Sequence, residues 1–287
     1  MENNVNRKWF LGTHLSIAKG FDHALYEARS LGCNALQIFT KNANTWKERE
    51  IFDSELKRFH QAKHDTGIKI IVSHTSYLIN LASEEPEIRK KSIRALKAEM
   101  IRAGQLELSY VVIHPGAHKG AGVKQGLNRI AESLNTIFDR LTTNIPLLLL
   151  ETTAGQVRSL GSCFGHLSDI MEKVTRSEKL GICMDTSHIF AAGYDIRTDE
   201  SYDNTMKAFN STIGFHHLHL FHLNDSKKDI GSGIDRHEHI GRGFIGTGAF
   251  RRIMNDPNFI NVPKIIETPK ENNMDQVNLN LLKMMVA

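Results

Sequence analysis

Cysteine is scarce in this chain, and long apolar runs are missing from it. Cys33, Cys163 and Cys183 are widely separated among 287 residues, so they predict no disulfide framework and indicate a reducing compartment. No uninterrupted apolar run approaches the roughly 18 residues that span a bilayer, and Met1–Asn4 lacks the apolar core of a secretory signal. We therefore expect a protein without membrane segments that, in a bacterium, is cytoplasmic.

The chain also has little excess charge of either sign, whereas histidine is abundant. Its 36 Lys and Arg against 32 Asp and Glu give a net charge of +4, which permits a polyanionic partner without requiring one. A content of 40% hydrophobic and 24% charged residues excludes a disordered or fibrous protein. Of the 15 histidines, six lie between positions 216 and 239. Because histidine is the commonest metal ligand, this cluster indicates a chemical role.

Eight short apolar runs recur along the chain. Continuous runs of this length are typical of strands that are buried on both faces, as in a parallel sheet. The runs are Trp9–His14, Ala35–Thr40, Ile68–His74, Tyr110–His114, Leu147–Glu151, Leu180–Asp185, Leu218–Leu223 and Lys264–Glu267.

Helical patterns separate these runs. In one of them Leu127, Ile130 and Leu134 follow each other at spacings of 3 and 4 residues, which places them on one helix face. Eight strands that alternate with helices over about 250 residues predict a (β/α)8 TIM barrel. Because no linker, repeat or low-complexity segment interrupts the pattern, we expect one domain over residues 1–287.

A doubly wound open sheet is the alternative architecture. That fold normally carries a glycine-rich phosphate turn after its first strand, but the first run here leads into Thr13–Ser16, which is not such a turn. The segment Lys227–Gly248, with six glycines and mixed charges, predicts a long loop after the seventh strand. Loops of that length in a compact domain are usually functional.

Potential metal ligands stand at the ends of six successive predicted strands. In a parallel barrel these positions converge on the carboxyl-terminal mouth, where barrel active sites lie. Their spacings of 40, 37, 34, 37 and 45 residues correspond to about one βα unit each. The six residues are His74, His114, Glu151, Asp185, His222 and Glu267.

Three further candidates, His188, Asp235 and His237, lie just beyond strand ends and bring the set to nine. Nine ligands exceed the roughly four of a single tetrahedral zinc. A mixed set of imidazoles and carboxylates favours Zn²⁺, with Mn²⁺ or Fe²⁺ as substitutes, and closely spaced ions indicate a phosphoesterase. His14 either lines the same pocket or hydrogen-bonds a neighbouring strand.

Short motifs along most of the chain resemble those of the endonuclease IV family of apurinic/apyrimidinic endonucleases. Each motif is weak alone, but together, in order and at barrel spacing, they are specific. They are Phe39–Asn42, His74–Leu81, His114–Gly116, Glu151–Gly155, Asp185–His188, Ala191–Asp195, His222–Asp225, Asp235–His237 and Ile266–Thr268.

This resemblance implies a (β/α)8 enzyme that holds three zinc ions. It assigns three residues to the first ion, four to the second with Glu151 shared, and three to the third. The sets are His74, His114 and Glu151; Glu151, Asp185, His222 and Glu267; and His188, Asp235 and His237.

The resemblance also implies the reaction. A metal-bridging hydroxide would hydrolyse the phosphodiester 5′ to an abasic site in double-stranded DNA, leaving a 3′-hydroxyl and a 5′-deoxyribose phosphate. Glu151 and Glu267 are its implied catalytic residues, with Glu267 as a partner for the proton of the water. Removal of 3′-blocking groups and a monomeric state are further expectations.

Four residues are expected to contact DNA by the same resemblance. Tyr77 and Leu78 match residues that enter the minor groove and help to extrude the abasic nucleotide. The alternative is that both merely pack their loop on the barrel rim. Asn44 departs from several relatives, which carry an inserting arginine there, and Arg236 completes the set.

Two other functions compete with this interpretation. A sugar isomerase or epimerase shares the barrel but needs only one or two ions, which leaves His188, Asp235 and His237 without a purpose. A non-catalytic module that binds damaged DNA would keep the metals only for stability.

Overall fold

The computed structural model describes residues 9–141 and 145–287. In this part of the chain, eight parallel strands form a closed barrel in which each strand pairs with its neighbours in sequence and the last pairs with the first. The strands are β1 (Leu11–Leu15), β2 (Ala35–Ile38), β3 (Ile70–His74), β4 (Tyr110–Ile113), β5 (Leu147–Glu151), β6 (Leu180–Asp185), β7 (Leu218–His222) and β8 (Lys264–Ile266). The predicted (β/α)8 barrel is confirmed.

Helices surround the barrel and bury their apolar faces against it. Helix α2 ends at Thr66 and is capped by Gly67, whose φ of 68° favours glycine. None of the helices within residues 9–141 and 145–287 is long and apolar enough to cross a membrane. The helices are α1 (Phe21–Ser30), α2 (Asp53–Thr66), α3 (Pro86–Gln105), α4 (Val123–Phe138), α5 (Phe164–Lys173), α6 (Thr186–Ala191), α7 (Asp199–Thr212), α8 (Thr247–Asn255) and α9 (Met274–Met284).

The interior of the barrel contains an apolar layer separate from the larger core between sheet and helices. Its members are Ala35, Val72, Val112, Leu149, Cys183, Leu220 and Ile265. Because side chains on one face of a strand recur every second residue, the next inward positions lie one layer closer to the mouth. Those positions hold Gln37, His74, His114, Glu151, Asp185, His222 and Glu267.

Some element boundaries differ from the sequence-based expectation. β1 begins at Leu11, and His114 and Glu267 come one residue after the ends of β4 and β8. The long loop after β7 is partly ordered by an antiparallel ladder between Asp225–Ser226 and His237–Glu238.

Candidate metal centre

The first ligand group joins the carboxyl ends of β3, β4 and β5. The Oε2 atom of Glu151 lies 3.0 Å from Nε2 of His74 and 2.8 Å from Nε2 of His114. Glu151 is fully buried, so its charge is balanced by these imidazoles rather than by solvent. The three side chains offer ligand atoms close enough together to hold one metal ion.

The second group shares Glu151 with the first. Nδ1 of His222 lies 2.8 Å from Oε1 of Glu151 and 3.1 Å from Oε2 of Glu267. Asp185 completes this group of four potential ligands. Glu151 therefore presents one oxygen to each group, which is the arrangement that a bridging carboxylate requires.

The third group is built on a short helix and a long loop. Asp185 caps α6, because its side chain accepts a hydrogen bond of 2.9 Å from the backbone amide of His188. This hydrogen bond holds the carboxylate of Asp185 near the mouth. Asp185, His188 and His237 offer ligand atoms that lie close enough together to hold one metal ion. Asp235 adjoins them, with Oδ2 at 3.2 Å from Nε2 of His188 and Oδ1 at 3.3 Å from Nε2 of His237.

The loop that carries Asp235 and His237 is anchored from beneath by Asp225. This buried carboxylate accepts hydrogen bonds from the backbone amides of Gly241, Gly243 and Ile245 at 2.9 to 3.1 Å. A Cβ atom at Gly243 would lie 2.3 Å from the carbonyl oxygen of Ser226, so only glycine permits this close approach. The loop is therefore held in place although most of it is irregular.

Backbone carbonyls orient three of the histidines. Nδ1 of His74 donates to the carbonyl of Thr75, and Nδ1 of His188 donates to that of Thr152, at 2.9 and 2.8 Å. Nδ1 of His237 lies 3.2 Å from the carbonyl of Glu267. Each ring therefore carries a proton on Nδ1, and Nε2 is the nitrogen that would bind a metal, which is the usual effect of outer hydrogen bonds in metal sites.

The charge distribution matches a cation centre. Burial disfavours ionised Glu151, but the charges of His114 and His222 outweigh it and hold its pKa well below the usual range. Burial likewise opposes the charge on Asp235, yet contact with His188 lowers its pKa to about 2. For His188, the nearby Asp185 and Asp235 overcome burial and raise the pKa well above its usual value. Metal binding would therefore displace a proton from His188.

Some nitrogen atoms of this centre have no hydrogen-bond partner in the part of the chain that the structure describes, and metal ions would bind them instead. Within the described residues, Nε2 of His188 and Nε2 of His237 are buried without a hydrogen-bond partner. Buried polar atoms of this kind call for an ion or water as partner. Imidazole nitrogens and carboxylate oxygens are ligands that zinc accepts.

Sequence reasoning missed two side chains of this centre. Cys183 lies within ligand distance of Glu151 and His222, one layer below the mouth. Gln37 contacts His222 and Glu267 from β2. Both residues stand at inward positions of their strands, which recur every second residue, and this alternation is the sequence signal that could have identified them. His14 hydrogen-bonds Gln37 at 2.9 Å, so it does contact the neighbouring strand.

The residues expected to contact DNA lie around the mouth. Tyr77 is 66% exposed, and its ring lies 6.1 Å from that of the ligand candidate His74. Burial of its inner part and the charges of Glu267 and other carboxylates raise its pKa to about 12, so the phenol stays neutral. Leu78 is half-buried, while Asn44 and Arg236 are exposed.

Known proteins share both the sequence and this architecture. A sequence model of the family described as "Xylose isomerase-like TIM barrel" matches residues 25–284. The probable endonuclease 4 of Chloroflexus aggregans is 45% identical over 277 residues, which cover 96% of this chain and 97% of that protein. The chain belongs to the endonuclease IV family. Endonuclease IV from Thermus thermophilus has a crystal structure with a TM-score of 0.85 at 33% identity, covering 96% of this chain and 98% of that one.

Membership of the endonuclease IV family identifies the chain as an endonuclease, a hydrolase with a metal-binding barrel. A D-tagatose 3-epimerase-like protein also superposes, with a TM-score of 0.72 over 96% of each chain, but at 18% identity. That likeness shows the fold alone. The family assignment therefore favours the nuclease over the epimerase alternative.

Proposed function

We propose that this protein repairs DNA by hydrolysing the phosphodiester 5′ to abasic sites in double-stranded DNA, leaving a 3′-hydroxyl and a 5′-deoxyribose phosphate. The observation that carries the proposal is the sharing of buried Glu151 between two ligand groups beside a third. Removal of 3′-blocking groups requires the same hydrolysis at a 3′ end. The enzyme acts as a monomer with a single domain over residues 1–287.

Three zinc ions are the proposed cofactors, with Mn²⁺ or Fe²⁺ as substitutes. Bound zinc supplies Lewis acidity, which activates water at neutral pH and stabilises charge on phosphate oxygens. The residues that would hold the ions are His74, His114, Glu151, Asp185, His188, His222, Asp235, His237 and Glu267.

Glu151 and Glu267 are the proposed catalytic carboxylates. Burial disfavours the ionised form of Glu267, but the charge of His222 outweighs it and holds its pKa well below the usual range. Glu267 therefore stays ionised at neutral pH, and its carboxylate is the proposed hydrogen-bond acceptor for the attacking water and the partner for its proton. Glu151 holds the first two ligand groups at a fixed separation and balances the charge of both.

A substrate panel tests the function directly. We expect purified protein to nick a duplex with one abasic site and to leave an intact duplex uncut, with 3′-hydroxyl ends on the product. A panel of ketoses incubated with the same protein should remain unchanged. Epimerised sugar with an uncut abasic duplex would overturn the proposal in favour of an epimerase. Tight binding to abasic DNA without cleavage, in zinc-loaded protein, would instead support a non-catalytic module.

Tyr77, Leu78, Asn44 and Arg236 form the proposed contact surface for DNA. Tyr77 carries most of this proposal, because a large, neutral aromatic ring stands two-thirds exposed beside the metal centre. Such a ring can stack on a base or fill the gap that an extruded nucleotide leaves.

Tyr77→Ala is expected to weaken binding to an abasic duplex by about 1–3 kcal/mol, the range for an aromatic ring stacked on a base. Affinity for a single-stranded abasic oligonucleotide should fall less, because no duplex has to be unstacked. Both affinities and the melting temperature should be measured beside Tyr26→Ala, which removes an exposed ring from α1. A lower melting temperature with an unchanged ratio of the two affinities would assign Tyr77 to rim packing.

A further inference from the structure

Gln37 lies at the end of β2, fully buried at the level of the metal ligands. Its carbonyl oxygen Oε1 lies 2.8 Å from Nε2 of His222. Its amide nitrogen Nε2 lies 2.5 Å from Oε1 of Glu267 and 2.9 Å from Nδ1 of His14. One side chain thus contacts two potential ligands, one at the end of β7 and one directly after β8.

The hydrogen-bonding inventory allows one orientation of this amide. The amide nitrogen of Gln37 can only donate and faces a carboxylate oxygen of Glu267, whereas its carbonyl oxygen can only accept and faces His222. A carbonyl oxygen accepts but never donates, so Nε2 of His222 carries the proton. Nδ1 is then the nitrogen that faces Glu151 and Glu267 and that would bind the ion.

His222 differs in this respect from the other oriented histidines. His74, His188 and His237 are held through Nδ1 by backbone carbonyls and present Nε2. His222 presents Nδ1 instead and depends on a side chain for its orientation. A substitution at Gln37 therefore removes a restraint that the backbone does not replace.

We propose that Gln37 is a positioning residue for the second metal ion: it fixes the Nε2–H tautomer of His222 and holds the carboxylate of Glu267 beside it. This inference rests on the proposed metal centre. Gln37 would contact neither the ion nor DNA, and it acts through the two ligands that it orients.

Gln37→Met, which keeps the volume but removes every hydrogen bond, tests the proposal by zinc titration against a chelator. We expect one of the three ions to bind 10–100-fold more weakly, the usual effect of losing an outer hydrogen bond, while the other two keep their affinity. With all sites loaded by excess zinc, kcat should recover and KM for the abasic duplex should stay at its wild-type value.

Asn278→Leu is the matched control, because Asn278 is a buried amide in α9 with hydrogen bonds to Thr268, His239 and Ile240. We expect it to lower the melting temperature of zinc-free protein as Gln37→Met does, but to leave all zinc affinities unchanged. Gln37→Glu, which retains the acceptor for His222 but repels Glu267, should also weaken one ion and carries the test if Gln37→Met does not fold.

Wild-type zinc affinities in a folded Gln37 variant would overturn the proposal, as would equal weakening of all three ions. The proposed function fails separately, if the wild-type protein binds no zinc or does not cut an abasic duplex.

Discussion

Glu151→Gln is expected to lower kcat for incision of an abasic duplex by at least about 10³-fold, equivalent to about 4 kcal/mol of transition-state stabilisation. The reason is that Glu151 is the carboxylate common to two ligand groups, with 2.8 Å contacts to both His114 and His222. A neutral amide cannot balance two neighbouring cations, and its nitrogen would face one of these imidazoles. Metal affinity and the geometry of the reacting centre should therefore be lost together.

Ser187→Ala provides the control, since Ser187 lies fully buried between Asp185 and His188 in the chain. Its hydroxyl makes no hydrogen bond within the described residues, so its removal should change neither kcat nor zinc content. Rates should be measured under single-turnover conditions at saturating zinc, with the metal content of each variant determined beforehand. Near-normal turnover of zinc-loaded Glu151→Gln would contradict the bridging assignment.

The barrel and most of the candidate centre could be predicted from the sequence because one regularity governs both. The predicted strands recur at intervals of about one βα unit, and this interval predicts the barrel. Along each strand, every second side chain points into the barrel. Val72 and His74 illustrate this: the first belongs to the apolar interior layer and the second lies one layer closer to the mouth. Parallel strands bring such ends together, so residues remote in sequence become neighbours in space.

Features that depend on contacts between loops were not predictable in the same way. The position of Asp235 depends on a loop held by Asp225, whose hydrogen bonds reach 16 to 20 residues along the chain. The alternation of inward positions places Gln37 at the level of the ligands, but this residue has no charge and no motif of its own, so its contacts with His222 and Glu267 are seen only in the structure. The neighbours of Asn44 and Tyr77 in a complex with DNA depend on the DNA itself.

One barrel fold can carry unrelated chemistries. The distinction between a nuclease and an epimerase therefore lies in the residues at the mouth rather than in the fold. His188 on α6 and the Asp235–His237 segment of the long loop add ligands to the set that the strand ends provide. These additions supply the potential ligands of the proposed third metal ion.

Asp235→Asn is expected to remove one of three zinc equivalents and to lower kcat for incision roughly 10²-fold, about 3 kcal/mol of lost charge stabilisation. Two carboxylates compete for the third group. Asp185 approaches His188 at Nδ1, at 3.9 Å, but that nitrogen already donates to a backbone carbonyl. Asp235 approaches Nε2, the atom left free for a metal, at 3.2 Å. Both carboxylates also approach Nε2 of His237, Asp235 at 3.3 Å and Asp185 at 3.6 Å. The shorter distances to both imidazoles and the tautomer of His188 favour Asp235 as the ligand.

Elemental analysis and incision assays on Asp235→Asn, Asp185→Asn and Asp229→Asn separate these assignments. Asp229 is an exposed carboxylate of the same loop that contacts Arg197, so its variant should keep three zinc ions and full activity. If Asp185 instead supplied the carboxylate of both the second and the third group, Asp235→Asn would retain three ions and Asp185→Asn would lose two. Loss of a single equivalent in each of the Asp235 and Asp185 variants is the result expected when the second and third ions each have their own aspartate, because Asp185 then serves the second group alone.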